Sequence, residues 1–177
     1  MTIVKLQPLT KKRLVSVDFY QQSILPYAAI IMKICRAYTN THEDFEDYYQ
    51  EVCLQIWKSR DNFQGHSNWS TWVYRLSLNV CLTLLKKNKN SHAQFSSDDK
   101  PAAFYEDSRA FSDEPINQLY DAIRQLSEID RAVILLYLEG KSHQEIADII
   151  DTNASNIGTR VKRIKERLKK ILDGKIN

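Results

Sequence analysis

Apolar residues in this chain recur at steps of three and four, in two groups of segments separated by a polar stretch, so the elements they predict are helices. The first group predicts three. One runs from about Val17 to Tyr38, with Phe19, Ile24, Ile31, Ile34 and Tyr38 apolar and a kink or break at Pro26. The second opens at Thr41, whose hydroxyl can cap a helix with Asp44 three residues on, and carries Phe45, Tyr49, Val52 and Ile56 on one face. The third runs from about Trp69 to Lys87 with Trp72, Val73, Leu76, Val80 and Leu84 inward. The segment DNFQGHSN joins the last two as a loop turning at Gly65.

The second group predicts shorter, sharply punctuated helices. Asp113 or Glu114 precedes Pro115, a favourable first-turn residue, and Ile116, Leu119, Ile123 and Leu126 follow. Ser127 with Asp130 begins the next helix, and Gly140 closes it. Ser142 with Glu145 forms a capping box for a helix through about Ile150. Asn153 then caps a last helix whose Ile157, Val161, Ile164, Leu168 and Ile171 form one seam.

From Ser91 to Pro115 the periodicity stops and Ser, Asp and Pro accumulate. Between Ser96 and Glu114 six acids stand against two bases. The expected architecture is all-α: two small helical domains, 1–90 and 114–177, joined by a flexible acidic linker over 91–113. The second joins a short and a longer helix by a turn of about three residues, with small Ala147 at the close approach, which predicts a helix-turn-helix.

Four Gly and four Pro are too few for a turn-rich all-β fold. No apolar run reaches the ~20 residues of a membrane span, and the N-terminus lacks the apolar block of a signal peptide, so a cytoplasmic chain with no membrane insertion is expected. Cys35, Cys53 and Cys81 lie far apart in apolar helical settings and are expected as reduced thiols. The four histidines have no close Cys or His partner at ligand spacing, so no metal and no cofactor is expected.

Charge adds a function class. The last helix, Ala154 to Leu172, holds seven cations against the single Glu166, suited to phosphate contact, although a solvated amphipathic helix has the same composition. Ser155, Asn156, Thr159, Arg160 and Arg163 lie near its start, off the apolar seam, where this motif reaches a major groove. Gly158, inside the helix, costs up to about 1 kcal/mol against Ala; close backbone approach to DNA and helix packing both explain it.

In the first half, Glu43, Asp44, Glu46, Asp47 and Glu51 form an acidic helix that reads as a solubility face, a docking surface or a carboxylate site. No nucleophile, His partner or phosphate-cradling loop accompanies it, so no catalytic residues and no enzymatic activity are expected. Phe63, Trp69, Trp72 and Tyr74 interleave with Arg60, Gln64, Ser67, Asn68, Ser70, Thr71 and Arg75, a composition that suits stacked single-stranded bases. Trp72 and Trp57 are expected in the core, and Lys86, Lys87 and Lys89 are placed to hold phosphates.

Three stretches resemble a known family, the sigma factors of the sigma-70 superfamily in their small extracytoplasmic-function (ECF) group. DYYQEVCLQIW (47–57) resembles the core-polymerase-binding helix, NFQGHSNWSTWVYRLSLN (62–79) the promoter-melting loop and the helix behind it, and LSEIDRAVILLYLEGKSHQEIADII with NIGTRVKRIKERL the C-terminal helix-turn-helix. The resemblance spans about Asp18 to Leu172 in the family's order.

It implies a transcription initiation factor that binds core RNA polymerase, directs it to promoters and helps open promoter DNA. Asp47, Gln50 and Glu51, with Asp44 and Gln55 on the same helix, would dock on the polymerase. Phe63, Gln64, Ser67, Asn68, Trp69, Ser70 and Thr71, with Arg75 and Asn79, would hold a base flipped from single-stranded minus-ten DNA, and Lys86 and Lys87 its backbone. Ser142, Asn153, Ser155, Asn156, Thr159, Arg160, Lys162 and Arg163 would contact double-stranded minus-thirty-five DNA. An anti-sigma factor is the implied regulatory partner. Three departures stand out: Asp151 replaces the turn's frequent Gly, which predicts a longer or differently shaped turn; Cys53 replaces an aromatic; Tyr48 and Tyr49 are bulkier than the usual aliphatic pair. The competing reading is a stand-alone helix-turn-helix regulator with a dimerising or sensing first half, which would require palindromic half-sites.

Overall fold

The structure, a computed structural model, describes residues 18–94 and 113–174. The chain is all-α and two-domain, with seven α-helices in the described residues: α1 Ala28–Tyr38, α2 His42–Ser59, α3 Trp69–Gln94, α4 Glu114–Arg124, α5 Glu128–Leu138, α6 His143–Ile150 and α7 Ala154–Leu172. Most of the acidic segment expected as a linker lies outside the described residues.

The first body is built by α1, α2 and α3. The break at Pro26 takes a specific form: a π-helical turn at Tyr20–Ile24 passes into a 3-10 turn at Leu25–Tyr27, with Pro26 in that turn's first positions, before α1 begins. Thr41 caps α2, its hydroxyl accepting the Asp44 N–H at 3.1 Å, and Asp44 adds negative charge at the positive helix end. Ile31, Ile34, Cys35, Val52, Ile56, Val73 and Cys81 are essentially without solvent contact at its centre. The Cys35 and Cys81 thiols touch at 4.0 Å, and all three cysteines are free thiols, with Cys53 half-buried.

Two expectations are corrected. Tyr48, not Tyr49, is the buried tyrosine of α2; Tyr49 is half-buried beside Phe45. In α3 only Val73 of the expected inward set is fully buried; Trp72, Leu76, Val80 and Leu84 are half-buried, while Tyr74, Ser77, Leu78 and Cys81 are buried. The reason is that α3 is covered on two sides, by α1 and α2 and also by α6, so its buried surface is wider than one seam. Buried Ser77 is satisfied by donating to the Val73 carbonyl at 2.8 Å. The helix also runs to Gln94, past Lys87 where the apolar seam fades, and Asn88 and Lys89 in this extension bond to Tyr48 and Glu128.

The second body packs α4 to α7 around Ile123, Val133, Ile134, Leu136, Ile146, Ile157 and Ile164. Its caps form as the residues dictate. Ser127 accepts from the Asp130 N–H, Ser142 and Glu145 form both bonds of a capping box, and Asn153 accepts from the Ser155 N–H at 3.0 Å. Gly140 takes a φ of 73°, the left-handed conformation that ends α5. The two bodies then pack on one another, α1 against α4 and α5, and α3 against α6.

Candidate nucleic-acid and polymerase interfaces

The loop after α2 starts as a 3-10 turn at Arg60–Asn62 and turns at Gly65, whose φ of 73° favours a residue without Cβ. Its base is aromatic. Trp69 and Trp72 stack at 4.6 Å between ring centres, and Phe63 meets their edges at 5.0 and 5.7 Å. The Trp69 indole N–H donates to the Ser23 carbonyl at 2.9 Å, fastening this cluster to the π-turn. Phe63, Trp69 and Trp72 are therefore half-buried and held by each other, while Gln64, His66 and Asn68 are exposed at the tip, with Ser67, Ser70 and Thr71 partly covered. Trp57, expected in the core, is half-buried under the Arg60 guanidinium, 4.0 Å above its ring. A rigid aromatic floor with polar groups at its lip suits an unstacked base.

On the opposite flank, α2 and α3 form an acidic groove of about 570 Å³. Asp44, Asp47, Gln50 and Glu51 line it, all of them expected from sequence. Tyr48, Leu54, Leu84 and Asn88 complete it and were not expected. Leu54 is 42% exposed, and its position seven residues after Asp47, on the same helix face, was the available signal. Asn88 donates to the Tyr48 hydroxyl at 3.4 Å, joining the two walls. Burial raises the Tyr48 phenol, which stays neutral. Gln55 donates to Glu51 at 2.6 Å and shares an adjoining hollow with Asn79, so a residue expected for polymerase and one expected for DNA meet there. Lys86 and Lys87 lie farther along α3, exposed. No group of three or more His, Cys, Asp or Glu side chains among the described residues is placed to hold a metal ion.

In the helix-turn-helix, α6 and α7 are joined through Asp151, which adopts the left-handed conformation at φ 56° and ψ 60°. The turn thus keeps the shape a glycine would give it; Asp is among the few residues that tolerate this region. Ala147 is buried where the helices meet. Ser155, Asn156, Thr159, Lys162 and Arg163 are exposed along α7, and Ser142 and Asn153 are exposed at the two helix starts. Arg160 is placed differently: its Nε donates to Asp130 at 2.6 Å and it is half-buried. Gly158 has a packing explanation within the fold, since a Cβ there would stand 3.2 Å from the His143 ring. The Glu145 carboxyl is held below its ordinary range, first by the Ser142 N–H and then by the Ser142 hydroxyl and Lys141.

The structure also brings the two candidate DNA surfaces toward each other. Arg75 donates to the carbonyls of Asp148 and Ile149 at the end of α6, the latter at 3.2 Å. The loop Asn62–Asn68 faces Ala147, Asp148, Asp151 and Thr152 across a cleft of about 840 Å³. An adjoining cleft of about 430 Å³ places Asn79 opposite Ile149 and Arg160.

Comparison with known proteins places both bodies. Residues 24–91 match the family model for sigma-70 region 2, and residues 116–168 match that for sigma-70 region 4. The chain is 27% identical over 173 residues to ECF RNA polymerase sigma factor SigG of Mycobacterium tuberculosis, a match covering 82% of this chain and 46% of SigG. It thus spans about half the length of that relative. It is also 27% identical over 186 residues to ECF RNA polymerase sigma factor SigW of Bacillus subtilis, covering 94% of this chain and 98% of SigW. Among solved structures, the fold is that of the sigma factor RpoE from Bartonella quintana, crystallised with the anti-sigma factor NepR. The TM-score is 0.73 at 20% identity, covering 87% of this chain and 96% of that one.

Proposed function

Because the chain belongs to the sigma-70 family of RNA polymerase sigma factors, in its extracytoplasmic-function group, we propose that it is a transcription initiation factor that binds core RNA polymerase, directs it to specific promoters and helps open them. The observation that carries this reading is the order of parts. A region 2 match and a region 4 match fall, in that sequence, on two helical bodies separated by an acidic segment.

On this reading residues 1–90 form the polymerase-binding and minus-ten domain, 91–113 the linker and 114–177 the minus-thirty-five domain. Asp44, Asp47, Gln50, Glu51 and Gln55 engage polymerase, supported by their common groove between α2 and α3. The loop from Phe63 to Thr71, with Arg75 and Asn79, receives a flipped base and traps the opened strand without ATP; its half-buried aromatic floor supports the assignment. Lys86 and Lys87 hold backbone phosphates. The exposed face of α7, with Ser142 and Asn153, reads duplex DNA, Arg160 doing so on release from Asp130. The chain works as a polymerase subunit and not as an enzyme, and it acts in the cytoplasm; no described helix is long and apolar enough to cross a membrane. An anti-sigma factor is the proposed inhibitory partner, as in the RpoE structure with NepR.

The decisive experiment is transcription in vitro. The purified chain added to core polymerase is expected to produce initiation at discrete start sites that core alone does not use. Unchanged start sites overturn the reading.

A further inference from the structure

We propose that Cys35 and Cys81 are an oxidation site, at which a peroxide converts the two thiols to a disulfide that clamps α1 to α3 behind the α2–α3 groove. The two residues lie 46 positions apart in the chain, and their sulfurs touch at 4.0 Å with neither side chain exposed to solvent. Core cysteines can serve simply as small apolar residues. This pair differs in joining two helices, one of which carries a wall of the groove.

Tyr48 links the pair to that groove. Burial first, and after it Cys81, Asp44 and Cys35, push its phenol up, so both sulfurs stand behind the buried tyrosine that lines the groove. The Tyr48 hydroxyl accepts from Asn88 of α3 at 3.4 Å, and Leu84, one turn beyond Cys81, lines the same groove. A disulfide holds its sulfurs about 2 Å apart, so closing the bond draws the pair together by roughly that amount. A close-packed core transmits such a movement, so α3 shifts against Tyr48 and the groove changes shape.

The chemistry balances with hydrogen peroxide as the oxidant. One thiol sulfur attacks a peroxide oxygen: an S–O bond forms, the O–O bond breaks and water leaves, giving a sulfenic acid. The second sulfur, already in contact, attacks the first: the S–S bond forms, the S–O bond breaks and a second water leaves. Two thiols lose two electrons and two protons, and one peroxide becomes two waters. Contact with Cys35 and then burial hold the Cys81 thiol well above its ordinary range, so thiolate is scarce and the site answers slowly. A slow response to a small neutral oxidant is that of a threshold sensor, and cytosolic disulfides are usually of this transient, sensing kind. That the groove binds polymerase rests on the function proposed above; the disulfide does not.

The test uses the full chain carrying Cys53→Ser, which removes the half-buried thiol and leaves Cys35 and Cys81 alone. After hydrogen peroxide under native conditions its mass is expected to fall by about 2 Da, and peptide mapping to show Cys35 joined to Cys81. Affinity for core polymerase is expected to fall about tenfold, the scale of a strained core, and to return with a thiol reductant. Thiols that stay reduced, or that become sulfinic acids without a bridge, overturn the site. A bridged chain that binds core enzyme at full strength overturns the coupling to the groove. Cys35→Ala with Cys53→Ser, or Cys81→Ala with Cys53→Ser if circular dichroism shows the first to unfold, can form no bridge and is expected to keep its affinity in peroxide. An equal loss there traces the effect to another group, such as exposed Met32, and also overturns the coupling. A reduced chain without affinity for core enzyme overturns the promoter reading, while the mass still decides the disulfide.

Discussion

The guanidinium of Arg131, in the first turn of α5, donates to the backbone carbonyl of Ala37 at the end of α1, 94 residues earlier in the chain. The same group donates to the carbonyls of Arg124 and Leu126 and lies over the Tyr38 ring, and it is only 8% exposed. One side chain thereby satisfies the end of α1, the end of α4 and the turn that follows it. Its burial lowers the guanidinium's affinity for its proton, yet an arginine so placed stays charged.

Replacing Arg131 by Met keeps much of the volume and leaves three carbonyls without this donor. The expected loss is about 3 kcal/mol, since stranded buried acceptors cost more than the bond itself contributes. A urea midpoint equal to that of the wild type would show that water replaces the guanidinium.

Asp151→Gly is expected to stabilise the chain by about 1 kcal/mol, because Gly enters the left-handed region without the Cβ penalty that Asp still bears. The unfolded chain gains freedom with Gly, which caps the benefit. Thermal unfolding reads the change, and a lower midpoint would mean that the Asp151 side chain contributes more than its backbone conformation costs.

Glu145 links stability to acid. Its folded carboxyl titrates below the ordinary carboxylate range, so its contribution is present above that range and is lost as pH falls through the lowered value. Between about pH 5 and pH 3 the wild-type midpoint should therefore fall more steeply than that of Glu145→Gln, which keeps a capping amide but does not titrate. Parallel curves would remove Glu145 from the acid response.

Asp47→Lys reverses charge at an exposed position on the wall of the α2–α3 groove, where nothing in the core depends on it. The fold should survive while affinity for core polymerase drops by about 100-fold or more, like charges now facing the partner. Pull-down with core enzyme and circular dichroism separate the two effects. Full affinity would move the polymerase surface elsewhere.

Much of this was legible from residues whose partners lie within a turn of them. Thr41, Ser127, Ser142 and Asn153 each cap the helix expected of them, because an N-cap bond closes over two or three residues and needs no distant contact. The acidic face of α2 was legible for the same reason: Asp44, Asp47 and Glu51 lie on one side of the helix by spacing alone. Gly158 was ambiguous, since its cost is local but its explanation is a ring on another helix. Leu54 and Leu84, one from each wall, were not legible as parts of one groove, since only packing sets α2 beside α3.

The amino-acid order alone therefore determined the helical class, the caps, the break at Pro26, the division into two bodies and the charge on α7, all of which follow from periodicity and short-range hydrogen bonding. Tertiary structure decided which faces of α3 are covered, what Arg75 and Arg160 hold, and that the two bodies complete each other's helix ends. The reason is physical: a local pattern records which side chains avoid water, but a guanidinium bonds any carbonyl within reach, and only the folded chain brings Ala37 to Arg131 and Ile149 to Arg75.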